Sequence, residues 1–305
     1  MAVVTKDYLT GLLKNFRTIF ADDFSAAMVG EGWKDISLQV TSNTSSEDYN
    51  WFGTVPRMAE GQPELGGLNA YNMVITNKTY KAGLEVERTV IEDDKIGMIQ
   101  PRLRQLGPEA ARHPGELIFS LFEAGGVAYD GVTFFSDTRS IGDSGNIDNI
   151  ITGTGITVDK IQADIGTARA TMVKFKDDRG RVTGRRPNVL VVPTELFQAF
   201  WQALNPGSGS VQNPMPSTNN GSFSAAGYLV IENPYLTDPN DWYALHVDNA
   251  ARPFVFQNRL APSMEGITDP ETEAGILREM FIYTVRARYN VGYGDFTCAV
   301  KVTNT

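Results

Sequence analysis

Three consecutive carboxylates are the residues whose type and spacing could most readily do chemistry. Glu92, Asp93 and Asp94 stand in TVIEDDKIGMI, between an alternating apolar stretch and an apolar helical pattern. Clustered carboxylates can bind a divalent metal or act as general acid and base. However, three adjacent carboxylates at such a junction cannot all reach one metal without a special loop, and no glycine-containing calcium-loop spacing surrounds them. Because helix starts stabilise negative charge, the pattern predicts the start of a helix.

The other reactive side chains are few. Cys298 is the single cysteine and lies in the alternating stretch FTCAVKV, which predicts a small buried residue and not a nucleophile. The two histidines, His113 and His246, leave little room for a zinc site or a histidine-based triad. The motifs of P-loops, dinucleotide sites, zinc proteases and serine hydrolases do not occur in the sequence. The sequence therefore predicts no enzyme, no metal and no cofactor.

Composition and charge narrow the class of protein. The 305 residues are 42% hydrophobic, which is enough to fill a real core, and the formal net charge is -9. An acidic chain is a poor candidate for a groove that holds nucleic acid by counterion release. The sequence contains no apolar run of about 18 residues, and charges interrupt its first 17 residues, so we expect neither export nor membrane insertion.

The first half of the chain predicts a helix, a hairpin and a second helix. Apolar residues at three- and four-residue spacing over residues 7–24 indicate an amphipathic helix, which docks either on its own domain or on a neighbour. Two loosely alternating stretches around AEGQPELGGLN predict a long hairpin, which needs a further surface to cover it. The helix after the carboxylates should run to Gly125-Gly126, with kinks or breaks at Pro101, Pro108 and Pro114.

The second half predicts an α+β unit without repeats. Thr157 should cap a helix with Ile161, Ile165, Ala168 and Met172 on one face, and NVLVVP should be a buried strand. Thr194 should cap a short helix, and residues 205–227 should form a long polar loop. Three short strands should follow. Two long strands around a glycine-rich turn should end the chain, with alternate apolar residues on one face: Phe281, Tyr283, Val285 and Ala287.

In this order the segments resemble the Mu-like phage major head subunit (gpT) family, whose members look like variants of the Hong Kong 97-type capsid fold. The resemblance lies in LTGLLKNFRTIFADDF, YNWFGTVP, NKTYKAGLEVERTVIEDDKIG, AARHPGEL, YDGVTFF, RRPNVLVVPTEL, NPYLTDPNDWYALH and ARYNVGYGDFTCAVKV. These pieces span nearly the whole chain.

The resemblance implies a division of the chain. Residues 1–46 would be the N-terminal arm, 47–90 the extended E-loop, and 91–149 a part of the P-domain containing the spine helix at about 92–125. Residues 150–248 would form the A-domain, and 249–305 would complete the P-domain. Some capsids of this fold cross-link a lysine to an asparagine. Lys78 and Lys81 lie in the E-loop, but the sequence gives no reason to predict a cross-link.

The implied function is the self-assembly of a phage major capsid protein into hexamers and pentamers of an icosahedral shell, which encloses double-stranded DNA without sequence-specific binding. Expected partners are the chain itself, a scaffold, a portal and decoration or cement proteins, with assembly in the host cytoplasm and the virion as final location. The alternatives are an encapsulin-like compartment and a carboxylate-dependent hydrolase. We expect apolar side chains of the arm and hairpin to form the assembly interface: Leu9, Leu12, Leu13, Phe16, Phe20, Trp51, Phe52, Leu65 and Leu68.

Overall fold

The computed structural model of the chain describes residues 4–49, 60–61, 73–93, 95–205, 221–248 and 252–304. In these residues the helices are α1 Lys6–Met28, α2 Trp33–Ile36, α3 Arg88–Glu92, α4 Gln100–Ser120, α5 Val158–Lys174, α6 Phe197–Leu204 and α7 Glu273–Leu277. The strands are β1 Ser37–Thr41, β2 Ser46–Tyr49, β3 Met73–Thr76, β4 Lys78–Glu87, β5 Ile150–Thr152, β6 Val189–Val192, β7 Ser222–Ala225, β8 Tyr228–Glu232, β9 Trp242–Leu245, β10 Phe254–Gly266, β11 Met280–Tyr293 and β12 Ala299–Thr303.

A four-stranded sheet in the order β1-β10-β11-β4 forms one half of the fold. The long strand β11 is antiparallel to both β10 and β4. Side chains of a strand alternate between the two faces, and β11 alternates strictly between buried and half-buried residues over most of its length. The predicted apolar face of Phe281, Tyr283, Val285 and Ala287 is confirmed, since all four are buried.

Helices α1 and α4 pack together and cover the apolar face of this sheet. The apolar stripe of α1 is buried against α4, β10 and β11 of the same chain, and Arg17 Nε donates to the Met264 carbonyl at 2.9 Å. The Thr5 side chain accepts a hydrogen bond from the Tyr8 amide at the helix start. Of the two dockings that the sequence left open, the structure shows α1 on its own domain.

The start of the spine helix corrects one prediction. Glu92 ends α3, Asp93 caps its carboxyl end and Asp94 lies outside the described residues, so Glu92 and Asp93 do not start the long helix. After a 3-10 turn, Lys95–Met98, the long helix α4 begins at Gln100 with Pro101 in its first turn. Proline is tolerated there because first-turn amides have no intrahelical partner. Pro101 therefore marks the start of α4, and Glu92 and Asp93 lie at the end of the short helix α3 before it.

The predicted breaks at the inner prolines are also absent. Helix α4 runs without interruption through Pro108 and Pro114 to Ser120. Pro114 is buried in the contact with the rest of the domain, so tertiary packing holds the helix despite the lost hydrogen bonds.

A six-stranded sheet in the order β5-β12-β9-β6-β8-β7 forms the other half. All four residues of β6 are buried, and the predicted face of α5, Ile161, Ile165, Ala168 and Met172, packs into the same core. Both predictions are confirmed. Thr157 precedes α5 as predicted but makes no side-chain capping bond, and Thr194 begins a 3-10 turn, Thr194–Leu196, before α6.

The last strand departs from the expected division of the chain. Strand β12 does not return along β11; it pairs with β9 and β5 in the six-stranded sheet. Residues 299–303 thus pair with strands of the predicted A-domain, although the resemblance assigns them to the P-domain. The predicted second long strand is five residues long, because the chain turns at Gly294 and through the 3-10 turn Phe296–Cys298.

The predicted loop at 205–227 contains a strand. β7 forms a hairpin with β8 through Ala226 and Gly227, which have positive φ angles of 52° and 83°. Two consecutive residues of positive φ are typical of the tightest hairpin turns. The sequence signal was the AG pair before YLVIE. Residues 206–220 lie outside the described residues.

One glycine tests the packing of α1 on α4. A β-carbon added at Gly107 would lie 2.8 Å from the Phe24 backbone nitrogen, whereas one added at Gly166 on α5 would meet no atom within 4 Å. Alanine normally stabilises a helix interior by about 1 kcal/mol relative to glycine. We expect Gly166→Ala to raise the free energy of unfolding of the subunit by roughly that amount. Gly107→Ala should lower it by about 1–3 kcal/mol through overpacking, as urea denaturation followed by circular dichroism would measure. Stabilisation by both changes would contradict the close approach of the helices.

Candidate assembly surface

Of the three consecutive carboxylates, Glu92 has an ordinary structural partner, and Asp94 lies outside the described residues. Glu92 accepts a hydrogen bond from Arg88 Nε at 2.8 Å, as an ion pair along one turn of α3, and Asp93 is exposed. Within the described ranges, no group of three or more histidine, cysteine or acidic side chains is arranged to hold a metal ion. None of the helices described is long and apolar enough to cross a membrane.

Cys298 and the two histidines each contact another residue of the fold. Cys298 is fully buried as predicted, Arg185 Nη1 lies 3.2 Å from its Sγ, and burial raises the pKa of the thiol well above its ordinary value. His113 Nδ1 lies 2.7 Å from the Tyr289 hydroxyl, and His246 Nδ1 lies 2.7 Å from the Arg186 carbonyl. The raised pKa of the Cys298 thiol disfavours the nucleophilic thiolate. The contacts of all three residues therefore fit structural roles.

The arm residues expected at the assembly interface lie in the core of their own subunit. Their side chains are at most 7% exposed: Leu9, Leu12, Leu13, Phe16 and Phe20. In this arrangement they offer no free surface to a neighbour, because the sheet and α4 supply a matching apolar surface within the chain. The other four expected interface residues, Trp51, Phe52, Leu65 and Leu68, lie outside the described residues.

The base of the E-loop hairpin is fixed to the four-stranded sheet. Strands β2 and β3 form a two-stranded antiparallel ladder, in which Tyr49 and Ile75 are buried. The Tyr49 hydroxyl donates to Gln257 Oε1 at 2.7 Å, Gln257 Nε2 donates to the Ile75 carbonyl at 3.0 Å, and Asn290 Nδ2 donates to the Thr76 carbonyl at 2.7 Å. Burial, with a smaller contribution from Glu47, raises the pKa of Tyr49 to about 12, so its hydroxyl stays a donor at neutral pH. Strands β2 and β3 are therefore held on the four-stranded sheet by buried side-chain hydrogen bonds.

Exposed apolar side chains lie near the opposite end of the same sheet, and the sequence analysis missed them. Ile276 and Leu277 of α7 are 59% and 74% exposed, and Met98 after α3 is 74% exposed. Both segments flank the paired ends of β4 and β11, where the Arg88 amide donates to the Glu279 carbonyl at 2.8 Å. The apolar pair in EAGIL was visible in the sequence, but its exposure depends on the three-dimensional packing.

Comparison with known proteins decides the family. The family model of the Mu-like prophage major head subunit gpT matches residues 9–163 and 229–305, which include the four-stranded sheet, the spine helix and strands β5, β9 and β12 of the six-stranded sheet. The chain belongs to this family. It is therefore a phage major capsid protein, and the resemblance predicted from its sequence is confirmed.

Individual relatives agree with the family. The Mu-like prophage FluMu major head subunit of Haemophilus influenzae is 27% identical over 99% of this chain and 75% of the relative. The major capsid protein of Escherichia phage Mu is 23% identical over 98% of this chain and 75% of its own length. Among solved structures, the procapsid of bacteriophage JBD30 matches with a TM-score of 0.56 at 23% identity, over 97% of this chain and 76% of the other. The predicted Hong Kong 97-type α+β fold is confirmed.

The exposed apolar pair of α7 gives a testable surface. Replacing Ile276 and Leu277 together with serine should change the free energy of unfolding of the subunit by no more than about 0.5 kcal/mol, because both side chains are already in water. We expect the same variant to assemble less well than the parent, as light scattering would measure. Val182→Ser, which removes a singly exposed side chain, is the matched control. Assembly equal to that of the parent would remove α7 from the assembly surface.

Proposed function

We propose that copies of this capsid protein associate as hexamers and pentamers that close into an icosahedral shell around double-stranded DNA. The observation that carries the proposal is the family match over both halves of the chain, together with a capsid fold. Closed rings arise when one patch of each subunit binds a different patch of the next and the rotation closes. Such contacts need surfaces that a single subunit leaves incomplete.

Two features of the subunit support this form of assembly. The E-loop hairpin is anchored at its base by buried hydrogen bonds, and the long two-stranded hairpin that the sequence predicts would need a second surface for its stability. The exposed apolar side chains of α7 and Met98 lie near the far end of the same sheet. We propose that Trp51, Phe52, Leu65 and Leu68 of the hairpin contact a neighbouring copy, whereas Leu9, Leu12, Leu13, Phe16 and Phe20 support that interface from within the subunit.

The net negative charge of the chain supports a shell that encloses DNA without binding it tightly. At a net charge of -9, the subunit repels phosphate at long range, and tight binding by the wall would impede the packing and release of the genome. We infer a non-enzymatic role in the virion, with assembly in the host cytoplasm. A scaffold, a portal and decoration or cement proteins would be the partners besides the chain itself.

An encapsulin-like compartment is the second candidate, since such shells share the fold. The family favours a phage head, and the contents of the particle distinguish the two functions. A carboxylate-dependent hydrolase is disfavoured, because Glu92 is paired with Arg88 on a short helix and Asp93 lies at its exposed end.

Assembly itself is the first test of the proposed function. The purified chain should form rings or shells at assembly concentrations, because its exposed apolar surfaces and its hairpin gain burial only between copies. Light scattering and negative-stain electron microscopy would measure the size of the particles. A single species near 33.5 kDa under all assembly conditions would contradict the function.

The hairpin tip is the second test. Replacing residues 60–69 with a short glycine-containing turn should abolish shells and leave the subunit folded, because EGQPELGGLN has only two leucines to bury. Burial of a leucine against a neighbour contributes roughly 1.5–3 kcal/mol, and the contact is repeated throughout a shell. Circular dichroism melting and electron microscopy of the same sample are the measurements. Normal shells would show that the tip makes no essential contact, and loss of folding would show that its partner is the subunit itself.

The carboxylates supply a third test. Asp93→Asn together with Asp94→Asn should leave assembly largely unchanged, since Asp93 makes no metal cluster with the described residues around it. Glu92→Gln is the companion variant, because it removes the ion pair with Arg88 at a cost of no more than about 1 kcal/mol. Metal analysis of parent and variant shells is the second readout. A stoichiometric divalent ion that the double variant loses would contradict the structural role.

A further inference from the structure

The outward face of the four-stranded sheet, opposite to the face covered by α1 and α4, carries charges without an ion-pair partner among the described residues. In β11 this face is formed by Ile282, Thr284, Arg286 and Arg288, which alternate with the buried residues. Together with β4 and β10 it presents three basic and three acidic side chains: Lys81, Arg286, Arg288, Glu85, Glu87 and Glu265. None of the six has an ion-pair partner within 4.0 Å among the described residues.

The basic side chains are grouped in an unfavourable way for an isolated subunit. Lys81 of β4 lies directly opposite Arg286, and Arg288 follows two residues later on the same face. Side chains at directly opposed positions have β-carbons about 5 Å apart, and like charges at such positions are destabilising. The Nε atoms of both arginines are buried without a hydrogen-bond partner in the described part of the chain. No described carboxylate therefore pairs with the basic side chains at this end of the face.

The acidic side chains occupy the other end of the same face. Glu265 lies opposite Thr284, Glu85 opposite Ile282 and Glu87 opposite Met280. All three are exposed. Because two residues along a strand span about 7 Å, the basic and acidic halves have centres on the order of 15 Å apart. The boundary between them falls at the row of Thr284 and Gly83, which also contains Glu265.

On the basic side, the described residues of the hairpin base border the face. The Thr76 carbonyl of β3 accepts the hydrogen bond from Asn290, which is the next outward residue of β11 after Arg288. The cover by the hairpin base continues from there towards Gly292, where Ile75 lies against the backbone, and thus away from Arg286. The six charges lie beyond this cover.

We propose that this face is a self-complementary contact between two copies of the capsid protein. A two-fold axis near Thr284 and Gly83 would place the basic half of each copy on the acidic half of the other, which is the requirement for an isologous interface. The inference rests on the proposed function only in assuming that copies associate. The partner is a second copy and not DNA, because a surface for DNA is basic throughout, and half of this face carries carboxylates that repel phosphate.

Charge reversal tests the contact. One variant carries Arg286→Glu and Arg288→Glu, a second carries Glu85→Lys and Glu265→Lys, and a third carries all four changes. The third variant keeps the net charge of the parent and exchanges the two halves of the face. The control is Arg169→Glu with Lys174→Glu on α5, where two exposed cations are reversed for the same change in net charge.

The measurement is the subunit concentration at half-assembly at low salt, by light scattering, with circular dichroism melting to confirm folding. We expect each double variant of the face to raise this concentration by at least about tenfold, because individually weak ion pairs are repeated across the two-fold axis. An equimolar mixture of the two double variants and the fourfold variant should both return to within about threefold of the parent. Arg286→Gln with Arg288→Gln avoids new repulsion and should show a smaller loss with weaker dependence on salt.

The outcomes separate this contact from the function. Double variants that assemble like the parent, or a folded fourfold variant that does not assemble, would overturn the contact and leave the proposed shell intact. A loss confined to reversal of the arginines would also overturn it, since the cations would then meet a different anion. A parent chain that never assembles would overturn the proposed function, and this contact with it.

Discussion

The rest of the subunit depends on one constraint: the two faces of the β10–β11 ladder have different surroundings. A strand alternates its side chains, so a sheet of this length must bury one face and can expose the other. The inner face carries Phe281, Tyr283 and Val285, and α1 and α4 of the same chain cover it. The outer face carries the hairpin base at one end and unpaired charges along the remainder. The described residues thus cover the inner face within the subunit, and they cover the outer face only at the hairpin base.

This division explains how one chain can be both stable and ready to assemble. The large apolar residues of the arm are used for folding, so the subunit keeps a core of its own before it meets a neighbour. The surfaces that we propose for contacts with other copies are the hairpin, the exposed apolar residues of α7 and the charged face. Weak contacts of this kind become effective in a closed shell because each is repeated at every subunit.

Much of the fold could be predicted from the sequence, because periodic patterns report burial directly. The faces of α5 and β11 and the buried strand β6 were predicted residue by residue. Strand pairing could not be read in this way. The alternation in β12 indicates a strand, but only the tertiary structure places it between β5 and β9 and not beside β11. The predicted helix start was wrong because acidic residues suit a helix amino terminus, whereas Pro101, at which the sequence predicted a kink or break, lies in the first turn of α4.

The candidate surface was less predictable than the fold. An amphipathic helix has the same pattern whether its apolar face meets its own subunit or another, so Leu9 and Phe16 could not be assigned from sequence. The charged face was hidden for a related reason: Lys81 and Arg286 are distant in sequence, and only the register of β4 on β11 places them opposite each other.

A cryo-electron microscopy map of shells assembled from the purified chain would test the central claim most directly, which is that the inner face is covered by the subunit itself and the outer face by other copies. The account predicts continuous density that places α1 on α4 of the same chain, and a neighbouring copy within contact distance of Arg286 and Glu85. Density in which α1 crosses to another subunit, or in which the outer face of the sheet is open to solvent throughout the shell, would contradict it.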